Sequence, residues 1–225
     1  MGYNNFSTAR FTETMPDRKT HWENVYGSKT PLEVSWYQED SALSLRLIRN
    51  AGLDHDAPII DVGGGASTLV DHLCIDGFKD ISVLDVSARA LAHAKLRLAE
   101  KSCGVKWIES DITDFKPPQQ FSLWHDRAVF HFLTAKEDRD SYVKVLKHAL
   151  RPEGHLIIMA FAIDGPKKCS GLDIVQYDAE KLKTELGGSF ELIEKGHQVH
   201  ITPAAKEQKF AYFQFTRKTE NSPGS

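Results

Sequence analysis

The chain has 225 residues, 41% of them hydrophobic, which is enough for one well-buried α/β domain and too little for two generous ones. Its formal net charge of −3 gives no electrostatic case for a nucleic-acid partner, which normally selects a basic face. The three cysteines, Cys74, Cys103 and Cys169, are widely spaced with no CxxC pair, so neither a disulfide framework nor a zinc ribbon is expected and a reducing cytoplasm fits.

Residues 1–19 are polar and unpatterned and are expected to be disordered. From Thr20 to Gln38 the chain becomes aromatic, with Trp22, Tyr26, Trp36 and Tyr37; Trp22 and Tyr26 are four apart and share a helix face. Ser41 reads as the N-cap of a helix running to about Ala51, with Leu43, Leu47 and Ile48 inward and Gly52 ending it. The sequence then alternates. Strand-like runs fall at 58–62, 81–85, 105–108, 121–125, 155–161, 190–195 and 209–216. Helix-like runs fall at 67–76, 88–101, 137–149 and 178–186. Ser87 caps the second of these, whose Leu91, Ala94 and Leu98 form an apolar stripe. Arg151-Pro152-Glu153-Gly154 reads as a turn between helix and strand.

Strands alternating with helices imply a doubly wound, mostly parallel sheet covered on both faces. The last two strands, about a dozen residues apart, are expected to form an antiparallel pair at one side. One domain over 20–217 follows, with a disordered tail at 218–225. No apolar run approaches the roughly 18 residues that span a bilayer, and the first residues carry no signal-peptide core, so no membrane partner is expected.

Chemistry concentrates at Ile59-Ile60-Asp61-Val62-Gly63-Gly64-Gly65-Ala66-Ser67, an apolar run ending in an acid and three glycines. A second apolar run, Ile81–Leu84, ends in Asp85. Glycines after one strand and a carboxylate closing the next suit an adenosine-containing cofactor on a Rossmann-type sheet. A dinucleotide fingerprint would need Gly or Ala where Thr68 stands, and Asp61 would repel a pyrophosphate. S-adenosylmethionine carries no phosphate, and its ammonium and sulfonium are steadied by a nearby carboxylate. An NAD-linked oxidoreductase and a non-catalytic binding protein remain the alternatives.

The chain resembles the class I S-adenosylmethionine-dependent methyltransferases over roughly residues 20–217. Asp61–Ser67, Leu84-Asp85-Val86-Ser87, Ser110-Asp111-Ile112 and Leu150–Gly154 match the family's motifs in order. The resemblance implies a seven-stranded Rossmann-like sheet with an antiparallel last strand and an N-terminal helical lid. It implies that Gly63, Gly64 and Gly65 let the backbone approach the methionine part of the cofactor, with Asp61, Val62 and Ser67 also among the cofactor-binding residues. Asp85 would accept from the ribose hydroxyls, with Val86 and Ser87 beside it. Asp111 and Ile112 would meet the adenine, the backbone at His125 the amino group, and Trp22, Tyr26 and Trp36 would form the lid or anchor its helix.

The acceptor is a small molecule or a protein side chain. Methyl transfer is an in-line displacement, so alignment and exclusion of water matter most. Three segments reach the carboxyl edge of the sheet: Trp124–Phe132, Asp164–Gly171 and His200–Pro203. His125, His131, Cys169 and His200 could converge there, though not in a recognised metal-ligand pattern, and no metal is expected. His125, Arg127 and His131 are the candidates for base or acceptor-orienting groups; the plainer expectation is that Asp126 and Arg127 pair with each other. The start Trp22-Glu23-x-x-Tyr26 with Val34–Gln38 is distantly similar to small protein-lysine methyltransferases. Those carry Asp-Lys-Gly-Thr where this chain has His125-Asp126-Arg127-Ala128, and His125–Leu133 with Lys168–Leu172 is more similar to bacterial members of unassigned substrate.

Overall fold

The computed structural model describes residues 17–99 and 104–219. Helices α1 (Arg18–Ser28) and α2 (Ala42–Asn50) precede β1 (Ile59–Val62), α3 (Leu69–Ile75), β2 (Ile81–Asp85), α4 (Ala88–Leu98) and β3 (Lys106–Glu109). Then follow β4 (Phe121–Arg127), α5 (Lys136–Ala149), β5 (Leu150–Phe161), β6 (Lys168–Cys169), β7 (Leu172–Asp173), α6 (Ala179–Leu186), β8 (Phe190–Ile201) and β9 (Glu207–Arg217). Seven strands form one sheet in the order β3-β2-β1-β4-β5-β9-β8. β1 to β5 run parallel, and β9 is antiparallel to both of its neighbours.

The central strands are apolar along their length because both faces are covered. Every residue of β1 and β2 is buried. On one face Tyr142 and Leu146 of α5 and Leu182 and Leu186 of α6 pack on Trp124 and Ile158. On the other, Leu47, Leu73 and Leu91 from α2, α3 and α4 pack on Ile59, Val83 and Ile157.

Several boundaries differ from the sequence reading. α1 begins at Arg18, capped by the Asp17 carboxylate, so residues 17–19 of the stretch expected to be disordered are a helix cap and first turn; residues 1–16 and 220–225 lie outside the described part. Ser41 precedes α2 but its side chain makes no capping bond, whereas Ser87 accepts from the Ala90 N–H as expected. β5 starts at Leu150, which pairs with Phe121 before the register shifts to Leu123 and His155. The Arg151–Gly154 turn is therefore a bulge inside a strand. β8 and β9 pair from Phe190 and Arg217 to Ile201 and Glu207, leaving five residues, 202–206, between them rather than a dozen. Charges such as Glu191 and Lys195 hid this length; they alternate along a half-exposed edge strand, where they also discourage edge-to-edge pairing. A two-stranded hairpin, β6–β7, interrupts the connection after β5, turning at Ser170 and Gly171, both with positive φ. Cys74 is disulfide-bonded, a crosslink that the spacing did not announce; Cys103 lies outside the described residues.

The acid at the end of β4 shows how this architecture handles a buried charge. Asp126 does not pair with Arg127. It accepts from the N–H groups of Val129 and Phe130 at 2.9 and 3.1 Å and from the Tyr142 hydroxyl at 2.6 Å. Tyr142 in turn accepts from the Trp124 indole N–H at 2.9 Å. The reason is side-chain alternation: residues 126 and 127 point to opposite faces of the strand. Burial still pushes the Asp126 carboxyl up to about 6. Tyr142→Phe leaves an indole donor and a carboxylate oxygen short of a partner in the core. A loss of about 1–3 kcal/mol of unfolding free energy is expected, read from the urea midpoint at constant m-value.

Candidate active site

The parallel strands deliver their carboxyl ends to one edge, and a cavity enclosing about 800 Å³ of space, open to solvent, lies there. Its floor is Gly63, Leu84, Asp85, Val86, Ser110, Asp111 and Ile112; Arg18, Trp22, Tyr26 and Trp36 roof it; Arg127, Phe132, Cys169 and Phe210 close its far end. A second cavity adjoins it at Tyr26, Trp36, Gly63 and Arg127 and reaches Ser41, Ser44, Asp61, Gly64, Ser67 and His125.

The turn after β1 holds Gly63 at φ +69 and sends its N–H to the Leu84 carbonyl at 2.7 Å. A side chain there would meet Val129 as well as the left-handed backbone penalty, so the position needs glycine. Gly64 backs directly onto the Asp61 carboxylate and Gly65 onto that of Asp85. Val62 and Gly65 are not on the cavity wall; Val62 packs in the core below it. Ser87 is buried behind the site, where it caps α4 and donates its N–H to Asp85 at 2.8 Å.

Burial raises the Asp85 carboxyl to about 7, helped by the Asp61 charge nearby and opposed by the Ser87 N–H. Asp111 faces the cavity with Arg18 on one oxygen at 3.0 Å and the Thr113 N–H and hydroxyl on the other at 2.9 and 2.7 Å. Its acceptor capacity is therefore already partly used by the roof. Asp61 meets His125 Nδ1 at 2.7 Å, and His125 Nε2 lies 2.9 Å from the Ser44 hydroxyl. A carboxylate only accepts, so Nδ1 carries a proton. With both ring nitrogens engaged inside the fold, His125 is tied to α2 and β1.

The roof is an aromatic cluster. Trp22 meets Trp36 and Phe132 edge-on at 5.4 and 5.0 Å, and the Trp36 indole donates to the Tyr26 hydroxyl at 3.2 Å. Ion pairs at its rim, Lys19 with Glu109 at 2.6 Å and Arg89 with Glu23 at 3.2 Å, fasten α1 over β3 and α4. These pairs are solvent-exposed and contribute little by themselves.

Of the four residues expected at the far end, His131, Cys169 and His200 do gather around Arg127, while His125, on the same face of β4 as Arg127, is engaged by Asp61 and Ser44. His200 donates from Nε2 to the Ser35 carbonyl at 2.8 Å. Burial, then the Arg127 charge, hold the His131 imidazole down at about 3, so it stays neutral. Burial pushes the Cys169 thiol up to about 11. Neither is poised as a strong base or nucleophile at neutral pH. No group of three His, Cys, Asp or Glu among the described residues is arranged to hold a metal. Ser44 and Arg18 were missed by sequence reasoning. A serine inside an otherwise apolar helix face, and an arginine one turn before Trp22, were the available signals.

A family model described as "Methyltransferase domain" matches residues 59–154. EEF1A lysine methyltransferase 2 of Danio rerio is 29% identical over 157 residues, covering 62% of this chain and 66% of that protein, just under two thirds of its length. Nodulation protein S of Sinorhizobium fredii is 30% identical over 120 residues, covering 53% of this chain and 54% of that one. Among solved structures, the N-methyltransferase NodS from Bradyrhizobium japonicum, in complex with S-adenosylhomocysteine, superposes with a TM-score of 0.67 at 17% identity. That match covers 90% of this chain and 100% of that one.

The raised Asp85 gives the site a pH signature. A ligand hydroxyl that donates to Asp85 favours the ionised form, so binding strengthens as pH rises through about 7. S-adenosylhomocysteine affinity should increase roughly tenfold from pH 6 to pH 8 by calorimetry, and Asp85→Asn should flatten that rise.

Proposed function

We propose, for a chain that belongs to the class I S-adenosylmethionine-dependent methyltransferases, a specific division of labour within its cavity. The observation that carries it is the buried Asp85 carboxylate at the cavity floor, one strand over from the glycine turn and beneath an aromatic roof. When bound, S-adenosylmethionine supplies a methyl group on a sulfonium.

Asp85 holds the ribose hydroxyls, a use that needs two adjacent acceptor oxygens. Val86 and Ile112 sandwich the adenine, and Asp111 accepts from its amino group once Arg18 shares that carboxylate. Gly63 and Gly64 admit the methionine part to the second cavity, where Asp61 faces the ammonium, with Ser67 at the cavity wall. Its partnership with His125 fixes the carboxylate's position. Trp22, Tyr26 and Trp36 exclude water above the sulfonium, so the acceptor meets the methyl in a dry, aligned setting.

His125 is a positioning residue on this reading. No charged base is needed for an acceptor that arrives with a free lone pair, and the neutral His131 suits that case. The acceptor is a small molecule or a protein side chain. The net charge of −3 gives no electrostatic case for a nucleic-acid partner. No helix of the described residues is long and apolar enough to cross a membrane. A cytoplasmic location belongs to the proposal, and there the Cys74 crosslink would be reduced.

Incubation of the purified full chain and methyl-labelled donor with a cell extract should move label into a product. Separation by size then tells a small acceptor from a protein one. Asp85→Ala should lower the transfer at least tenfold while the protein stays folded. No transfer from any extract, or equal transfer by the variant, counts against this reading.

A further inference from the structure

The far end of the main cavity holds a guanidinium with two of its three nitrogens unpartnered. Arg127 comes off the end of β4, sends Nη1 to the Trp36 carbonyl at 2.9 Å, and lies over the Phe210 ring with its carbon 4.9 Å from the centroid. Its Nε and Nη2 are both buried and have no hydrogen-bond partner among the described residues. A buried charge without a counter-ion is costly, and a folded protein retains one where something else completes the pair.

No neighbour completes it. Asp61, the carboxylate whose charge reaches Arg127, is engaged by His125. Asp126, next in sequence, points to the opposite face and is held by Tyr142 and two backbone groups. His131 and His200 are both held below the ordinary imidazole range, by burial first and by the Arg127 charge second, and Cys169 keeps its proton. Burial brings Arg127 down only to about 10, so it remains cationic at neutral pH. The pocket end is positive, apolar-walled and without a built-in anion.

Nε and Nη2 form one edge of the guanidinium, two parallel donors that match the two oxygens of a carboxylate. The same edge does this elsewhere in the molecule: Arg49 donates from Nε and Nη2 to the two oxygens of Asp76 at 2.8 and 2.7 Å. We propose that the Nε–Nη2 edge of Arg127 binds the carboxylate of a small methyl acceptor, whose body lies against Trp36, Phe132, Cys169 and Phe210. This rests on the reading above, in which Asp85 and the glycine turn hold the donor. The sheet order separates the two: the donor's ribose and adenine groups lie over β2 and β3, while Arg127 and Phe210 sit on β4 and β9, on the opposite side of β1. An extended protein lysine brings a cation, which this end would repel.

The donor's own carboxylate is the other source of the same chemistry, and the experiment separates the two. Benzoate and its neutral counterpart benzamide are titrated into the full chain saturated with S-adenosylhomocysteine, with calorimetry as readout. Saturable benzoate binding at least tenfold tighter than benzamide is expected. Arg127→Gln should lower benzoate affinity at least tenfold and leave S-adenosylhomocysteine affinity within threefold. Arg127→Lys, which keeps the charge and loses the fork, should lose most of the benzoate preference while melting near the wild type. The proposal is overturned if the two probes bind alike, if benzoate does not bind the loaded protein, or if S-adenosylhomocysteine affinity falls with benzoate affinity in both variants. Failure of the wild type to bind S-adenosylhomocysteine at all would instead overturn the donor reading.

Discussion

Three carboxylates, Asp61, Asp85 and Asp126, sit buried at the ends of three adjacent parallel strands, and the site follows from how each is accommodated. Burying an ionised carboxylate costs several kcal/mol unless partners replace its water. Asp61 receives the His125 imidazole, and Asp126 receives a tyrosine hydroxyl and two backbone donors. Asp85 receives backbone donors alone and faces the cavity, so burial pushes its carboxyl higher than that of Asp126. The least satisfied acid is the one left for a ligand.

The same logic, with the sign reversed, applies across β1. Arg127 is the buried cation whose partners stop short of its capacity, and it stands where an acceptor would enter. Between the under-satisfied carboxylate of Asp85 and the under-satisfied guanidinium of Arg127 lies a roof of edge-on aromatic rings. These rings supply area and exclude water without competing for either charge. Rim ion pairs anchor α1 at its edges, weak individually, which suits a segment that has to admit a ligand.

Much of this was legible in the sequence. The buried strands announced themselves as unbroken apolar runs, and the glycine turn and Asp85 stood in the order that a doubly wound sheet uses. The aromatic roof was readable from the four-residue spacing of Trp22 and Tyr26. Partnerships were harder. The Asp126–Arg127 pair looked natural because the two are neighbours, but strand alternation sends neighbours to opposite faces. His125 looked like a catalytic candidate until its partners, 64 and 81 residues away in sequence, were visible. The lengths of β8 and β9 were hidden by edge-strand charges, and the bulge in β5 by a turn-like Pro-Glu-Gly. What local pattern conveys is which face a residue takes; long-range pairing decides what it meets there.

The central claim is that the methyl donor seats on the carboxyl ends of β1, β2 and β3 beneath α1. Amide hydrogen exchange of the full chain, with and without saturating S-adenosylhomocysteine, addresses it directly. Slower exchange confined to residues 63–67, 84–87, 110–113 and α1, with β8 and α6 unchanged, is the predicted result. Ligand-induced protection that bypasses 63–67 and 84–87, or that appears mainly at α5 and α6, would contradict it.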